Sequence, residues 1–334
     1  MLALNLLRAC RDCIFAILAA RAYSSRALQH TSFLALASFS DASAITLLCD
    51  THRRHMPADP ASPTVKTNAV PSKVAPRPLG AVNWVGFWTL YAKEVKRFIK
   101  VYSQTILAPI ITTLLFYAVF ALALDANKRS VGDIPFLAFL APGLIMMGMI
   151  QNAFANTSSS VVIAKVQGNI VDILLPPLNS MELALGWVLG GVTRGLVVGF
   201  FTWLVLIMFV PMPVTNVGLI LFHAVSGSML LSTLGVIGGI WSDKFDHIAA
   251  VTNFVVMPLT FLSGTFYSVE KLPPEWLFLA HINPVFYMID GFRAGFIGHA
   301  DGDILTGILV GIGVNALLFV IALRMLQTGY KLRP

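Results

Sequence analysis

Charge is scarce in this sequence: Asp, Glu, Lys and Arg make up 12% of its 334 residues, against roughly 25% in an ordinary soluble domain. Cysteine is scarcer still. There are three, and Cys10, Cys13 and Cys49 all fall near the start of the chain. The C-x-x-C spacing of Cys10 and Cys13 has neither a second pair nor a histidine at zinc spacing, and no βαβ pattern surrounds it, so a metal or redox centre is not the reading. No G-x-x-x-x-G-K-[ST] phosphate loop occurs, which excludes ATP binding of that kind by this chain. No Ser/His/Asp or nucleophile constellation marks an enzyme.

Apolar residues are abundant instead, at 57%. They collect in runs about as long as the ~20 residues that cross ~30 Å of hydrocarbon. The fold class is therefore an all-α polytopic membrane protein. The formal net charge is +7, but no basic patch with interleaved aromatics accompanies it, so nucleic acid is not the expected partner. Basic residues flanking membrane helices account for it better.

The first 55 residues stand apart. They carry six arginines and no lysine, whereas residues 56–334 carry ten lysines and seven arginines. The abrupt change at a methionine predicts that Met56 is the true start, with an Arg-rich targeting segment as the alternative. Residues 56–80, with Pro57, Pro60, Pro63, Pro71, Pro76 and Pro78, read as a Pro-rich disordered tether. The transmembrane domain is expected over 81–330.

Residues 83–100, NWVGFWTLYAKEVKRFIK, form an amphipathic helix. Trp84, Phe87, Trp88, Tyr91, Val95 and Phe98 fall within an arc of about 100°, with Lys93, Lys96, Arg97 and Lys100 opposite. Such a helix suits the headgroup plane of an anionic membrane lipid leaflet. Six spans follow from hydropathy, near 104–124, 136–156, 183–209, 216–240, 248–268 and 304–324. Placing the amphipathic helix in the cytoplasm leaves nine basic residues inside (Lys93, Lys96, Arg97, Lys100, Lys165, Lys244, Arg324, Lys331, Arg333) and four outside (Lys128, Arg129, Lys271, Arg293). That balance agrees with the positive-inside rule and puts both termini in the cytoplasm.

Two connections are unusual. Between spans 2 and 3, Val162, Val166, Ile170, Ile173 and Leu174 repeat at helical spacing up to Pro176-Pro177, predicting a short amphipathic helix that either plugs into a partner or lies on the membrane. After span 5, which contains Pro258, the chain leaves the hydrocarbon near Ser263-Gly264. Two apolar pieces too short to cross, 275–282 and 285–298, precede span 6. Irregular backbone at membrane depth is tolerated only where protein buries it or it lines a cavity. Short helices dipping in from the outer face are expected.

The spans hold no Asp or Glu beyond Glu182 at the start of the third, unlike a proton-driven carrier, which keeps carboxylates as relays. Arg194 and His223 are the ionisable groups left at depth. Arg194 either faces the bundle and attracts an anionic substrate group or pairs structurally; His223 reads as packed. Asp243, Asp246 and His247 read as a solvated turn rather than a metal site. Asp290 and Arg293, three apart, are expected to pair on an outer helix, worth ~0.5 kcal/mol if exposed.

The run Phe261-Leu262-Ser263-Gly264-Thr265-Phe266-Tyr267, then Leu272-Pro273, Asn283-Pro284, Tyr287 and Asp290-Gly291-Phe292-Arg293, resembles the C-terminal region of ABC-2 type transporter permeases. Gly168-Asn169-Ile170-Val171-Asp172-Ile173-Leu174-Leu175 followed by Pro176 looks like the family's coupling segment, with Gln167 where a charged residue often precedes the glycine. The resemblance covers about residues 79–330. It implies a permease that pairs with a second copy, most simply as a homodimer, and with two separate ATPase subunits, which would carry the ATP and Mg; this chain would hold no cofactor or metal. The pair would export a polysaccharide, lipid or drug across a bacterial inner membrane. Val166, Gln167, Gly168, Asn169, Asp172, Leu174 and Pro176 would meet the ATPase. Arg194, Ser263, Gly264, Phe266 and Tyr267 would line the substrate pathway, with Asn283, Pro284, Asp290 and Arg293 forming a re-entrant outer motif. The competing class is a stand-alone channel or secondary carrier.

Overall fold

A computed structural model describes residues 82–123, 130–131, 134–269 and 273–332, all within one compact unit, residues 77–334. The expectations for residues 1–80, for Lys128, Arg129, Lys271, Leu272 and for Arg333 lie outside the described residues.

The first helix, α1 (Trp84–Lys100), runs through a π-helical turn (Ser103–Leu107) into α2 (Ala108–Ala123). Two-residue strands β1 (Ser130–Val131) and β2 (Ile134–Pro135) pair antiparallel, with Ser130 opposite Pro135. Then come α3 (Phe136–Val166), the short α4 (Ile170–Leu174), α5 (Ser180–Leu206) and α6 (Val217–Trp241). The run α7 (Phe245–Val251), π turn (Thr252–Val256) and α8 (Met257–Phe261) follows. The chain closes with α9 (Pro274–Ile282), α10 (Pro284–Ile297) and α11 (Ile304–Thr328).

Helix α3 is the axis of the bundle. Its 31 residues span about 46 Å, and it packs on α5, α6, α10 and α2. Close approach comes from small residues, as lipid supplies no hydrophobic drive between helices. A methyl group added at Gly239 of α6 would lie 2.8 Å from Val161 Cβ, and one at Gly195 of α5 would lie 2.9 Å from the Met149 carbonyl. Hydroxyls stitch the same seam. Thr157 donates to the Ser232 carbonyl at 2.8 Å, and Ser232 donates to the Val188 carbonyl at 2.8 Å, so α3, α6 and α5 are joined through buried hydrogen bonds.

Among the described residues, five helical segments are long and apolar enough to cross a membrane: 103–122, 136–166, 180–206, 217–241 and 304–328. They match five of the six predicted spans, with α3 running ten residues beyond the 156 expected. The other, predicted at 248–268, does not reach that length. The apolar helical run is Phe245–Phe261, and its 17 residues cover about 25 Å. Pro258 removes an N–H within it, and the helix widens to a π turn just before the proline.

Candidate functional site

Helix α8 stops where the backbone should be hardest to satisfy. The last carbonyls of a helix have no partner within it, and the residues after Phe261 supply them one by one. Asn283 Nδ2 donates to Leu259 O at 2.7 Å. Ser263 Oγ and Thr265 Oγ1 both donate to Thr260 O, at 2.6 and 2.9 Å. Tyr267 donates to Leu262 O at 3.2 Å. Gly264, with φ of +71°, makes the reversal, and its carbonyl accepts from Arg293 at 2.7 Å. The polar run that breaks the expected span is thus the cap of a helix that ends inside the fold.

Arg293 is 1% exposed and sits over the Phe139 ring at 3.7 Å. Asp290 is also buried, 3.9 Å away across the α10 turn. Asp290 takes the N–H groups of Asp301 and Gly302, at 3.0 and 2.9 Å, and Asp301 in turn takes the Val269 N–H at 2.8 Å. The expected pair on this helix forms, but buried, so the small value of an exposed pair does not apply to it. The two side chains are core groups that pin the 263–269 turn and the 298–303 loop to α10, and Arg293 no longer counts among the loop charges. The two apolar pieces predicted after the break appear as α9 and α10, the latter capped by the Asn283 side chain on Val285 N. Phe266 lies in an aromatic cluster with Phe116, Phe120 and Phe261. Ser263 is buried with its hydroxyl turned onto its own helix end.

At the opposite end, where α3, α6 and α11 finish, a single predicted helix over 162–174 becomes two. Val162 and Val166 belong to α3. Gly168, at φ +73°, reverses the chain after Gln167 N has bonded Ile163 O, and α4 restarts one residue past Asn169. Positive φ is nearly free for glycine and costly otherwise, which a periodicity count cannot register. Ile170 and Ile173 anchor α4 in the core; Val166, Val171, Leu174 and Leu175 are 50%, 50%, 39% and 79% exposed, with Asp172 exposed beside them. Beyond Pro176-Pro177, Glu182 accepts from Asn179 N at 2.9 Å and from Asn83 N at 2.7 Å. One carboxylate thus caps α5 and ties the start of α1 to it.

Beside α4 lies a node the sequence did not reveal. Asp243 accepts from Lys165 at 3.1 Å and from Lys331 at 2.9 Å. The two ammonium groups also bond the last carbonyls of α6, Lys165 to Ile240 and Ser242 and Lys331 to Trp241. Lys331 and then Lys165 hold the Asp243 carboxyl below its usual range. Cations at a helix C-terminus are favourable for its dipole as well. Asp243 lies in a solvent-exposed turn, as expected, and there bridges the two lysines; among the described residues no group of three potential ligands is placed to hold a metal.

Helix α1 packs on α5 through Leu90 against Gly186 and Glu94 against Gly190, and Phe98 is its third buried position. Trp84 and Trp88 are 70% and 64% exposed, with Lys93 and Lys96 exposed too. Arg97, predicted to side with the lysines, turns onto α3 instead, donating to Asn156 O at 2.6 Å and pairing with Glu94 at 3.0 Å. Glu94 is 1% exposed and accepts from Ser160 at 2.7 Å; nothing in the amphipathic pattern marked it as an inward group. Arg194 donates to Asn152 at 2.9 Å. His223 is fully buried, its Nδ1 on Leu219 O at 2.9 Å.

The family model of the ABC-2 type transporter matches residues 85–297, from the first turn of α1 to the end of α10. The chain belongs to the ABC-2 type transporter family. Its relatives include the inner membrane transport permease YadH of Escherichia coli strain K12, 37% identical over 250 residues, which is 75% of this chain and 98% of the relative. Nodulation protein J of Neorhizobium galegae is 23% identical over 252 residues, covering 72% and 88%. Nodulation protein J of Rhizobium leguminosarum bv. viciae is 23% identical over 265 residues, covering 74% and 93%. This ABC-2 family member is a multi-pass membrane transport permease, a transport subunit rather than an enzyme.

Proposed function

We propose that this permease is the membrane subunit of an ATP-driven exporter, acting as a homodimer with separate ATPase subunits that bind ATP and Mg. The observation that carries the reading is the α3–α4 break. It presents Val166, Val171, Leu174 and Leu175 as an exposed apolar ridge on a segment whose other face is anchored in the core. A rigidly anchored ridge of this kind transmits a push from a docked partner into α3, the axis of the bundle. Residues 166–176 form the ATPase contact. The capped end of α8, with α9 and α10, narrows the outer end of the pathway. The substrate is a polysaccharide, lipid or drug, the membrane is a bacterial inner membrane, and both termini are cytoplasmic. The inner-membrane permease among the relatives supports this setting.

The test is a mild-detergent pull-down of the tagged chain from native membranes, with mass spectrometry and an ATPase assay, run beside Leu174→Arg and Asp172→Arg. Recovery of a stoichiometric P-loop ATPase, lost or no longer stimulated in either variant while Tm is unchanged, is the expected result. A folded chain that carries no ATPase and supports flux alone in liposomes would instead establish a channel or secondary carrier.

A further inference from the structure

Arg194 lies in the middle of α5, fourteen residues from its start at Ser180 and twelve from its end at Leu206. Those separations are about 21 Å and about 18 Å along the axis, too far for an arginine to snorkel to either end. Its side chain reaches across to α3 and donates to Asn152 Oδ1 at 2.9 Å. Its Nε is buried with no acceptor, and no carboxylate of the described residues lies within salt-bridge distance of it.

One turn along α3, Asn156 holds a second guanidinium, that of Arg97, on its carbonyl at 2.6 Å and its Oδ1 at 3.1 Å. Asn152 and Asn156 are four residues apart, so the two side chains that hold the guanidiniums sit about 6 Å apart along one face of α3. Between them they have one carboxylate, Glu94, which pairs with Arg97 at 3.0 Å. The buried side facing them adds further donors without acceptors: Arg97 Nε and the Nδ2 of Asn156, a residue that is 0% exposed. Two cations, one anion and three idle N–H groups make a site short of one negative charge. Arg97 and Arg194 are both half-buried rather than sealed, while the three idle N–H groups are turned inward.

We propose that Arg194, Arg97 and Asn156 form a binding site for a phosphate-class oxyanion. A tetrahedral group carrying several acceptor oxygens bridges two planar forks at this spacing and uses several N–H groups at once. The oxyanion belongs to a phospholipid headgroup or to a free phosphate group. Lys93 and Lys96, exposed on the same helix, draw anions toward it. The inference rests on these side chains alone and is independent of the reading of the chain as a motor-driven exporter.

The test measures binding of short-chain phosphatidic acid to the purified full chain in maltoside detergent, against diacylglycerol of the same chain length. Wild type prefers the phosphate-bearing lipid by at least tenfold. Arg194→Gln and, separately, Asn152→Asp each abolish that preference. The second variant gives Arg194 a built-in carboxylate, keeps the fold and leaves nothing for a ligand to neutralise. Replacing Lys93 and Lys96 together by Gln changes affinity less than threefold. Displacement of the lipid by inorganic phosphate supports the site with the phosphate group as sufficient ligand. Resistance to inorganic phosphate, with loss in Asn152→Asp, supports a lipid headgroup. Equal affinity in wild type and Asn152→Asp, or no preference for phosphatidic acid over diacylglycerol, overturns the proposal.

Discussion

Arg293 of α10 donates to the carbonyl of Gly264 at 2.7 Å, joining residues 29 positions apart across the end of α8. The bond explains why two features that look separate in the chain, the Ser-Gly-Thr break and the Asp-Gly-Phe-Arg run, belong to one structure. The break exposes a carbonyl, and the run brings the donor that meets it. Arg293→Met is expected to destabilise the protein by about 3 kcal/mol or more, because it strands both that carbonyl and the buried Asp290. Arg293→Lys keeps the charge, loses the planar fork over Phe139, and recovers part of the loss. Thermal unfolding of the two variants in detergent reads the order directly.

Glu182 is the joint between α1 and α5. Glu182→Ala removes the acceptor for Asn83 N and Asn179 N at once and is expected to cost about 1–2 kcal/mol. Glu182→Gln, which keeps an acceptor oxygen, costs less. Proteolytic release of α1 in the alanine variant, with the rest of the bundle intact, is the accompanying signature.

Gly190 sets how closely α1 approaches. A methyl group there would lie 2.6 Å from Glu94 Cβ, so Gly190→Leu pushes α1 away and separates Glu94 from Ser160. Loss of stability by at least ~2 kcal/mol is expected, in the range of overpacking. Gly313, where an added methyl group meets nothing within 4 Å, is the control: Gly313→Ala is neutral or slightly stabilising, as expected for a glycine in a helix.

The Lys165–Asp243–Lys331 node has a pH signature. The two lysines depress the Asp243 carboxyl below its unfolded value, so its stabilising contribution is present above the ordinary aspartate range near 4. It is lost as pH falls below that range through the folded-state pKa. The Tm difference between wild type and Asp243→Asn should shrink toward zero as pH is lowered from 7 to well below the ordinary aspartate range. It should also shrink at high salt, because the group is exposed and screened. A difference that persists at both extremes would assign Asp243 a role other than pairing.

Apolar runs of spanning length fixed five of the helices from composition alone, since the need to satisfy backbone groups in hydrocarbon leaves a helix as the only open structure. The family resemblance was legible too, carried by short motifs whose order survives without any knowledge of their contacts. What hydropathy could not weigh was Pro258 together with the polar cap behind it. The same residues that lowered the apolar count also completed the end of a shorter helix. The α3–α4 break was hidden because Val162, Val166, Ile170 and Ile173 keep helical spacing on both sides of Gly168, and only the backbone angle there separates them.

Local pattern determined which segments are apolar. The tertiary structure decided which polar groups go inside. Glu94, Arg97, Asp290 and Arg293 all looked like surface charge by their neighbours in sequence, yet Glu94 and Arg97 are held inward by partners on α3 and Asp290 and Arg293 by backbone groups of the 301–302 loop and the Gly264 turn. A charge is buried only when some distant atom meets it, and the identity of that atom is a fact of the fold rather than of the segment.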